Sequence, residues 1–356
     1  MALIDFPLAN EEALLSRSGD ASGGIVNEHS PVGIGLPMCV SIETIYTGEA
    51  PSKLFGGKPD MIVTSSVKGP ATFQAAQRAI NQLVPEVKDD QYVELGAHSQ
   101  GTPIVYYTPA LQESELFFSF ELCAEKFNRK MLDRMSELFG MAGKMPMFFA
   151  AGQALVVGSR IVNFVGKLGK TIFETRPFLT DTMRIRIDIG GFRDFTPGFK
   201  LICADRDRAF FADRYELKMQ SRLGEDAYRL VERGGSREYR GNRPYLILNV
   251  DGRERNALAN FEPKIASAVI ISRFFGEDRQ ETGFELLQDA LQLKNDLSYL
   301  KKIKEYRHRM SHLEAGSEEH ERLSKFASAY EKNILDEELR GVVANMTTES
   351  SENGNS

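Results

Sequence analysis

Two strand-like runs in this chain end on the same punctuation, and that echo constrains the fold more than any bulk property. Leu116–Leu122 runs into Cys123-Ala124-Glu125-Lys126, with Asp133-Arg134 beyond it. Phe199–Ile202 runs into Cys203-Ala204-Asp205-Arg206, with Asp213-Arg214 at the same spacing. Short apolar runs closed by polar turn residues read as strands. The echo therefore predicts two related β-rich building blocks.

The rest of the chain extends that division. Residues 1–37 mix acids, Ser and Gly and read as a flexible leader; the start lacks a basic region followed by a long apolar run, so no secretory signal is expected. Residues 38–125 form the first β-rich block, with strands expected from Val40, within Gly57–Lys68, and at Tyr92–Leu95, Ile104–Tyr107 and Leu116–Leu122. Phe73, Ala76, Ile80 and Leu83 recur at helical spacing, which predicts a helix over Ala71–Val84. Residues 126–178 read as a helical apolar insertion, and 179–276 as the second β-rich block. In that block Asp251-Gly252 after Tyr245–Val250 is expected to supply the positive φ of a tight turn. Residues 277–343 form a charged helical tail, interrupted near Ala315-Gly316-Ser317, and 344–356 read as disordered. The expected fold class is mainly β with α: two β-sandwich-like blocks, a helical insertion between them and a C-terminal helical tail.

The second copy of the echo carries Asp205, Asp207 and Asp213 between strand-like runs. Asp-x-Asp puts both carboxylates on one side of an extended chain, and a returning loop would bring Asp213 towards them. A hard cation such as calcium takes six to eight oxygens from convergent loops of this kind. Phe199–Asp213 resembles the third loop of calcium- and phospholipid-binding β-sandwiches of the synaptotagmin and protein kinase C type. Gly57-Lys58-Pro59-Asp60-Met61-Ile62-Val63 is similar to that family's first-loop run, and Thr102–Leu122 to its middle strand pair. The resemblance implies calcium as cofactor, with Asp60, Asp205, Asp207 and Asp213 as ligands. Three departures stand beside it: no acid precedes Asp60 in Pro51–Pro59, Phe127 stands in the first copy where the second has Asp207, and Asp60 and Asp205 share a domain only if the helical segment is an insertion. The alternative for the loop is a solvated charge cluster, since each Asp is followed by Arg.

The insertion carries a different signal. After Pro146 the run Met147–Phe173 contains no further Pro and predicts a helix. Gln153, Arg160 and Lys167 recur every seven residues, as do the small Gly152, Ser159 and Gly166. Phe148, Phe149, Leu155, Ile161, Phe164 and Leu168 supply the apolar surface, and they are the expected membrane contacts. Arg160 near the middle disfavours a simple spanning helix, whereas a helix in the membrane interface tolerates it. A helix packed on the sandwich or against partner helices meets the same pattern.

An enzyme reading competes. Ala97-His98-Ser99-Gln100-Gly101 resembles the nucleophile elbow of α/β-hydrolases, with Ser99 as nucleophile. The next run, Thr102–Pro109, reads as a strand where an elbow needs a helix, and the downstream His308, His312 and His320 all fall in the tail. His308 and His312 also have the spacing of a two-His metal pair on one helix face. A net charge of −6 is no footprint of a nucleic-acid binder. Cys39, Cys123 and Cys203 are too few for a disulfide framework, which fits a reducing, cytoplasmic setting. The leading expectation is a non-enzymatic protein, peripheral at a membrane, whose partner is membrane lipid or a partner helix. A soluble homo-oligomeric assembly protein is the second, and a serine hydrolase the third.

Overall fold

Glu115–Glu125 (β8) behaves as its sequence predicts: Leu116, Phe118, Phe120 and Leu122 alternate with more exposed residues and are buried. The computed structural model describes residues 4–6, 29–51, 58–69, 77–93, 95, 100–126, 129, 147–150, 176–187, 195–222, 225–255, 258, 264–266 and 283–352. Among them the chain is mainly β with α, as expected.

β8 lies in a sheet ordered Pro177–Arg186 (β10), β8, Asp60–Lys68 (β3), Gln77–Val84 (β4), Met147–Ala150 (β9) and Lys264–Ala266 (β15), with Gln100–Gly101 (β6) also on β4. The facing sheet runs Ile4–Phe6 (β1), Gly198–Cys203 (β11), Tyr245–Asp251 (β14), Met38–Tyr46 (β2) and Tyr92–Val93 (β5), with Ile104–Thr108 (β7) also on β2. The two β-rich stretches of the sequence therefore share sheets: β2 pairs with β14, and β8 with β10, both antiparallel. Val40, Ile42, Leu246, Leu248 and Val250 of one sheet form a single core with Met61, Val63, Phe118, Phe120, Met183 and Ile185 of the other.

A second core lies on the outer side of β14. Tyr215–Arg222 (β12) and Glu225–Glu232 (β13) pair as an antiparallel two-stranded sheet. With the short helix Arg208–Arg214 (α1) they bury Phe211, Leu217 and Leu230 alongside Tyr46, Leu201, Tyr239, Tyr245 and Ile247. This explains why every residue of β14 is buried.

Several expectations are corrected. Gln77–Val84 is a strand, not the end of a helix, and residues 71–76 lie outside the described residues. Ala79, Ile80, Asn81, Gln82 and Leu83 are all buried, so the strand shows no two-residue alternation, and a register shift opposite Val63/Thr64 displaces the pattern further. Met147–Ala150 is also a strand, antiparallel to β4 and parallel to β15. A short apolar run carries too little periodicity to distinguish the two states. Within the stretch read as a leader, Ile4–Phe6 adds β1 to the edge of β11. Gly252 does not have a positive φ. Its Cβ would collide with the Pro31 carbonyl, so glycine is required there by close approach.

The tail forms Gly283–Met310 (α2), Glu318–Asn333 (α3) and Glu337–Glu352 (α4). The break expected near Gly316 is present: Gly316 has φ +85°, and Ser317 Oγ caps α3 by accepting the His320 N–H at 3.3 Å. Asp336 opens α4 by accepting the Leu339 N–H at 2.9 Å, and the helix continues beyond 343 to Glu352, where disorder was expected. Asn333 fastens the tail to the sandwich, donating to the Ala110 carbonyl at 2.9 Å and accepting from Thr108 Oγ1 at 2.8 Å.

Asp296 of α2 is fully buried, and its Oδ2 accepts the Leu335 and Asp336 N–H groups at 3.1 and 2.8 Å. Its Oδ1 has no hydrogen-bond partner among the described residues. Burial raises its pKa, outweighing the two amides. The folded protein thus holds this proton to higher pH than the unfolded chain, so the stability tied to it is lost as pH rises through the folded value. Asp296→Asn keeps an acceptor without the charge. Its urea midpoint at neutral pH is expected to equal or exceed that of the parent, and the gap should close as pH falls through the carboxyl range.

Candidate functional site

The side chains with the most chemistry converge where the loop between β4 and β5 meets β13. Thr47, just past β2, organises that loop. Its N–H donates to the Gln91 carbonyl at 3.0 Å, and its hydroxyl donates to the Lys88 carbonyl at 2.9 Å and accepts the Gln91 N–H at 2.9 Å. Asp90 sits at φ +52°, its N–H donating to the Gly48 carbonyl at 2.8 Å. Asp89 Oδ1 accepts the Ala50 N–H at 2.8 Å, and Asp90 Oδ1 accepts the Tyr46 hydroxyl at 3.1 Å.

Tyr92 forms the floor. Tyr245 donates its hydroxyl to Tyr92 Oη at 3.3 Å, and Tyr92 donates to the Tyr239 carbonyl at 3.2 Å. The Tyr46 ring lies 4.9, 5.3 and 5.2 Å from those of Tyr92, Tyr239 and Tyr245. Such contacts add about 1 kcal/mol each beyond area burial. Burial raises the pKa of Tyr92 and Tyr245 and pushes Tyr239 up to about 12, so the floor stays neutral at physiological pH.

Two guanidiniums cover this floor. Arg229 Cζ stands 4.0 Å and Arg240 Cζ 4.8 Å from the Tyr92 centroid. Arg229 donates to the Tyr228 carbonyl at 3.0 Å, and burial lowers its pKa. Arg240 donates to Glu238 at 2.9 Å and to the Asp90 carbonyl at 3.4 Å. Together with Lys88, Asp89, Asp90 and Gln91 they enclose an open cleft of about 390 Å³, within the range of small-ligand sites. Among the described residues Lys88 and Arg229 form no ion pair. The site is thus a rigid polar cleft able to hold a charged group by hydrogen bonds and Coulomb attraction.

The expected calcium ligands occupy other places. Asp205–Asp207 is a turn of 3-10 helix leading into α1, where an extended loop was expected, because the Asp207 N–H turns back to the Ala204 carbonyl at 2.8 Å. Asp205 pairs with Arg208 Nε at 2.9 Å, and the buried Asp207 pairs with Arg243 Nη1 at 3.0 Å. Arg208 also grips Asp181 of β10 through both carboxylate oxygens, at 2.6 and 2.7 Å. Asp213 is exposed on α1, and Asp60 opens β3 in the other sheet, its Oδ1 accepting the Glu86 N–H at 3.0 Å. Among the described residues no group of three or more His, Cys, Asp or Glu is placed to hold a metal ion.

Of the expected membrane contacts, Phe148 and Phe149 lie in β9, while Leu155, Ile161, Phe164 and Leu168 lie outside the described residues. So does Ser99; the residues after it form β6 and β7, where a nucleophile elbow needs a helix. The rings of His308 and His312 meet edge to face at 4.8 Å on α2. Sequence reasoning missed the cleft. Tyr92 and Arg229 lie in different β-rich stretches with the whole apolar insertion between them, and only the clustering of Tyr228, Tyr239 and Tyr245 near Arg229 and Arg240 signals an aromatic–basic surface.

Arg243 also stacks on Phe210 at 3.9 Å, so removing it strips a buried carboxylate of its nearer partner and an aromatic ring of its cover. Arg243→Met is expected to lower stability by about 3 kcal/mol in urea unfolding, and Asp207→Asn in that background to recover part of the loss. No protein-family model matches the chain, and no curated protein matches its sequence.

Proposed function

We propose that this chain is a non-enzymatic membrane-associating protein whose β-sandwich meets lipid headgroup phosphate through the Tyr92 cleft. The observation that carries the reading is the pair Lys88 and Arg229, two cations without an ion-pair partner among the described residues, facing one cleft. A guanidinium stacked on a tyrosine has lost much of its conformational freedom, and its planar fork suits phosphate oxygens. Among the described residues no helix is long and apolar enough to cross a membrane, so association in this reading is peripheral. With an overall charge of −6, long-range attraction to an anionic bilayer is weak, which leaves local contacts to supply the affinity.

The full-length chain is expected to float with phospholipid vesicles. Lys88→Ala/Arg229→Ala should weaken binding by about tenfold, because it removes two phosphate hydrogen-bonding groups at a partly exposed site. Absence of flotation by the parent chain on any phospholipid would sink the reading.

A second reading, an assembly protein, is favoured by Leu293 and Leu297, which are 46% and 50% exposed one turn apart on α2. In that case Leu293→Lys/Leu297→Lys converts an oligomer to a monomer in sedimentation analysis; a parent chain that is already monomeric at high concentration contradicts it.

A further inference from the structure

The cleft is lined by charges of both signs. The loop between β4 and β5 carries Asp89 and Asp90, exposed carboxylates that each commit one oxygen to the chain, on the Ala50 N–H and the Tyr46 hydroxyl. Neither makes an ion pair among the described residues. Arg229 and Arg240 both stand over the Tyr92 ring, and Arg240 engages Glu238, which is not part of the cleft lining. Lys88 adds a third cation at the loop.

Charge balance decides what such a cleft prefers. Three cations, Lys88, Arg229 and Arg240, and two carboxylates, Asp89 and Asp90, line it, and Glu238 outside the lining engages Arg240, which leaves two cations and two carboxylates for a ligand. A purely anionic ligand gains from the cations and is repelled by the carboxylates. A zwitterion gains from both kinds of group. The cation must carry N–H donors, because the acceptors offered are carboxylate oxygens. A quaternary ammonium looks instead for open aromatic faces, and guanidiniums already cover Tyr92.

We propose that the cleft binds an ammonium–phosphate zwitterion of the phosphoethanolamine class, its phosphate on Arg229 and Lys88 and its primary ammonium on Asp89 and Asp90. The inference rests on the headgroup reading above for its site, but not for the presence of a bilayer. The ligand is either a lipid headgroup or the same group in a soluble molecule.

The test is calorimetric titration of the full-length chain with two deacylated headgroups, glycerophosphoethanolamine and glycerophosphoglycerol. They share the phosphodiester and differ in the ammonium. The first is expected to bind about tenfold more tightly. Asp89→Asn/Asp90→Asn preserves acceptors for Ala50 and Tyr46 and is expected to erase that preference. Equal affinity of the parent chain for the two probes overturns the proposal, as does saturable binding of neither, and both results stand without any variant. A preference that survives the double substitution overturns it as well. Flotation with phosphatidylethanolamine or phosphatidylglycerol vesicles separates the two readings. Selective binding of glycerophosphoethanolamine without flotation supports the zwitterion site and removes the membrane. Flotation led by phosphatidylglycerol, with no preference between the soluble probes, leaves the membrane reading standing and removes the zwitterion site.

Discussion

The pairing of β14 with β2 is the contact on which the rest of the structure depends. It joins Tyr245–Asp251 to Cys39–Tyr46 in antiparallel register across some two hundred residues of chain. Each face of β14 then serves a different core. Leu246, Leu248 and Val250 close the sandwich, while Tyr245 and Ile247 hold the outer layer of β12, β13 and α1. Without the first function there is no sandwich; without the second, Arg229 of β13 has nothing to place it over Tyr92. A strand buried on both faces tolerates neither a slip of one residue, which would exchange the cores, nor an exposed polar side chain. Its polar members are both buried and partnered: Asn249 Oδ1 lies 3.0 Å from the His29 ring nitrogen, and Asp251 Oδ1 at the strand end accepts the Ser30 N–H at 2.9 Å.

Contacts of such long separation limit what can be read from local pattern. β8 was legible because one of its faces is more exposed than the other, so Leu116, Phe118, Phe120 and Leu122 stand out at period two. β4 was not, because Asn81 and Gln82 are buried along with Ala79, Ile80 and Leu83, and the remaining apolar residues fell on a helical spacing. The tail was legible in extent because α2 is long and Gly316-Ser317 is a local stop and start. The interleaving of the two β-rich stretches was not, since nothing in either stretch names its partner strand. The two copies of Cys-Ala-acid-base part company in the same way: Cys123 lies in β8 of one sheet and Cys203 ends β11 of the other, and both are buried.

The acidic loop was legible as a cluster of acids and misleading as to geometry. Alternation in an extended chain would bring Asp205 and Asp207 together, but helical backbone turns them apart, towards Arg208 and Arg243. The arginines next to each Asp in sequence are only part of the account. Arg206 stands 3.9 Å from Asp207 and is almost fully exposed, so its contribution is screened. The stronger partner, Arg243, comes from beyond β13. Arg208 reaches Asp181 of the other sheet, tying α1 to β10, and the Asp181 pKa is nevertheless raised by burial. That pairing does not fully offset the desolvation of its carboxylate, which places its value in fixing α1 against the sandwich more than in net stability.

The cleft draws its order from the same sharing of partners. Tyr46 stacks on Tyr245, touches Tyr92 and Tyr239, and sends its hydroxyl to both Asp90 and the Gly241 carbonyl. One side chain of β2 therefore positions the floor, the acidic loop and the segment bearing Arg240. Thr47, the next residue, secures the backbone of Lys88 and Gln91. Binding a small charged ligand to mobile side chains would forfeit much of the gain in ordering them. Here the loop backbone is already tied to the end of β2, and the guanidiniums are already seated on Tyr92. Among the described residues, Lys88 alone of the lining charges has a side chain held by neither a ring nor a hydrogen bond. Lys88 apart, a ligand entering the cleft thus meets preformed donors and acceptors whose ordering is a by-product of folding the outer core, which is why the tyrosines and the cleft have to be understood as one unit.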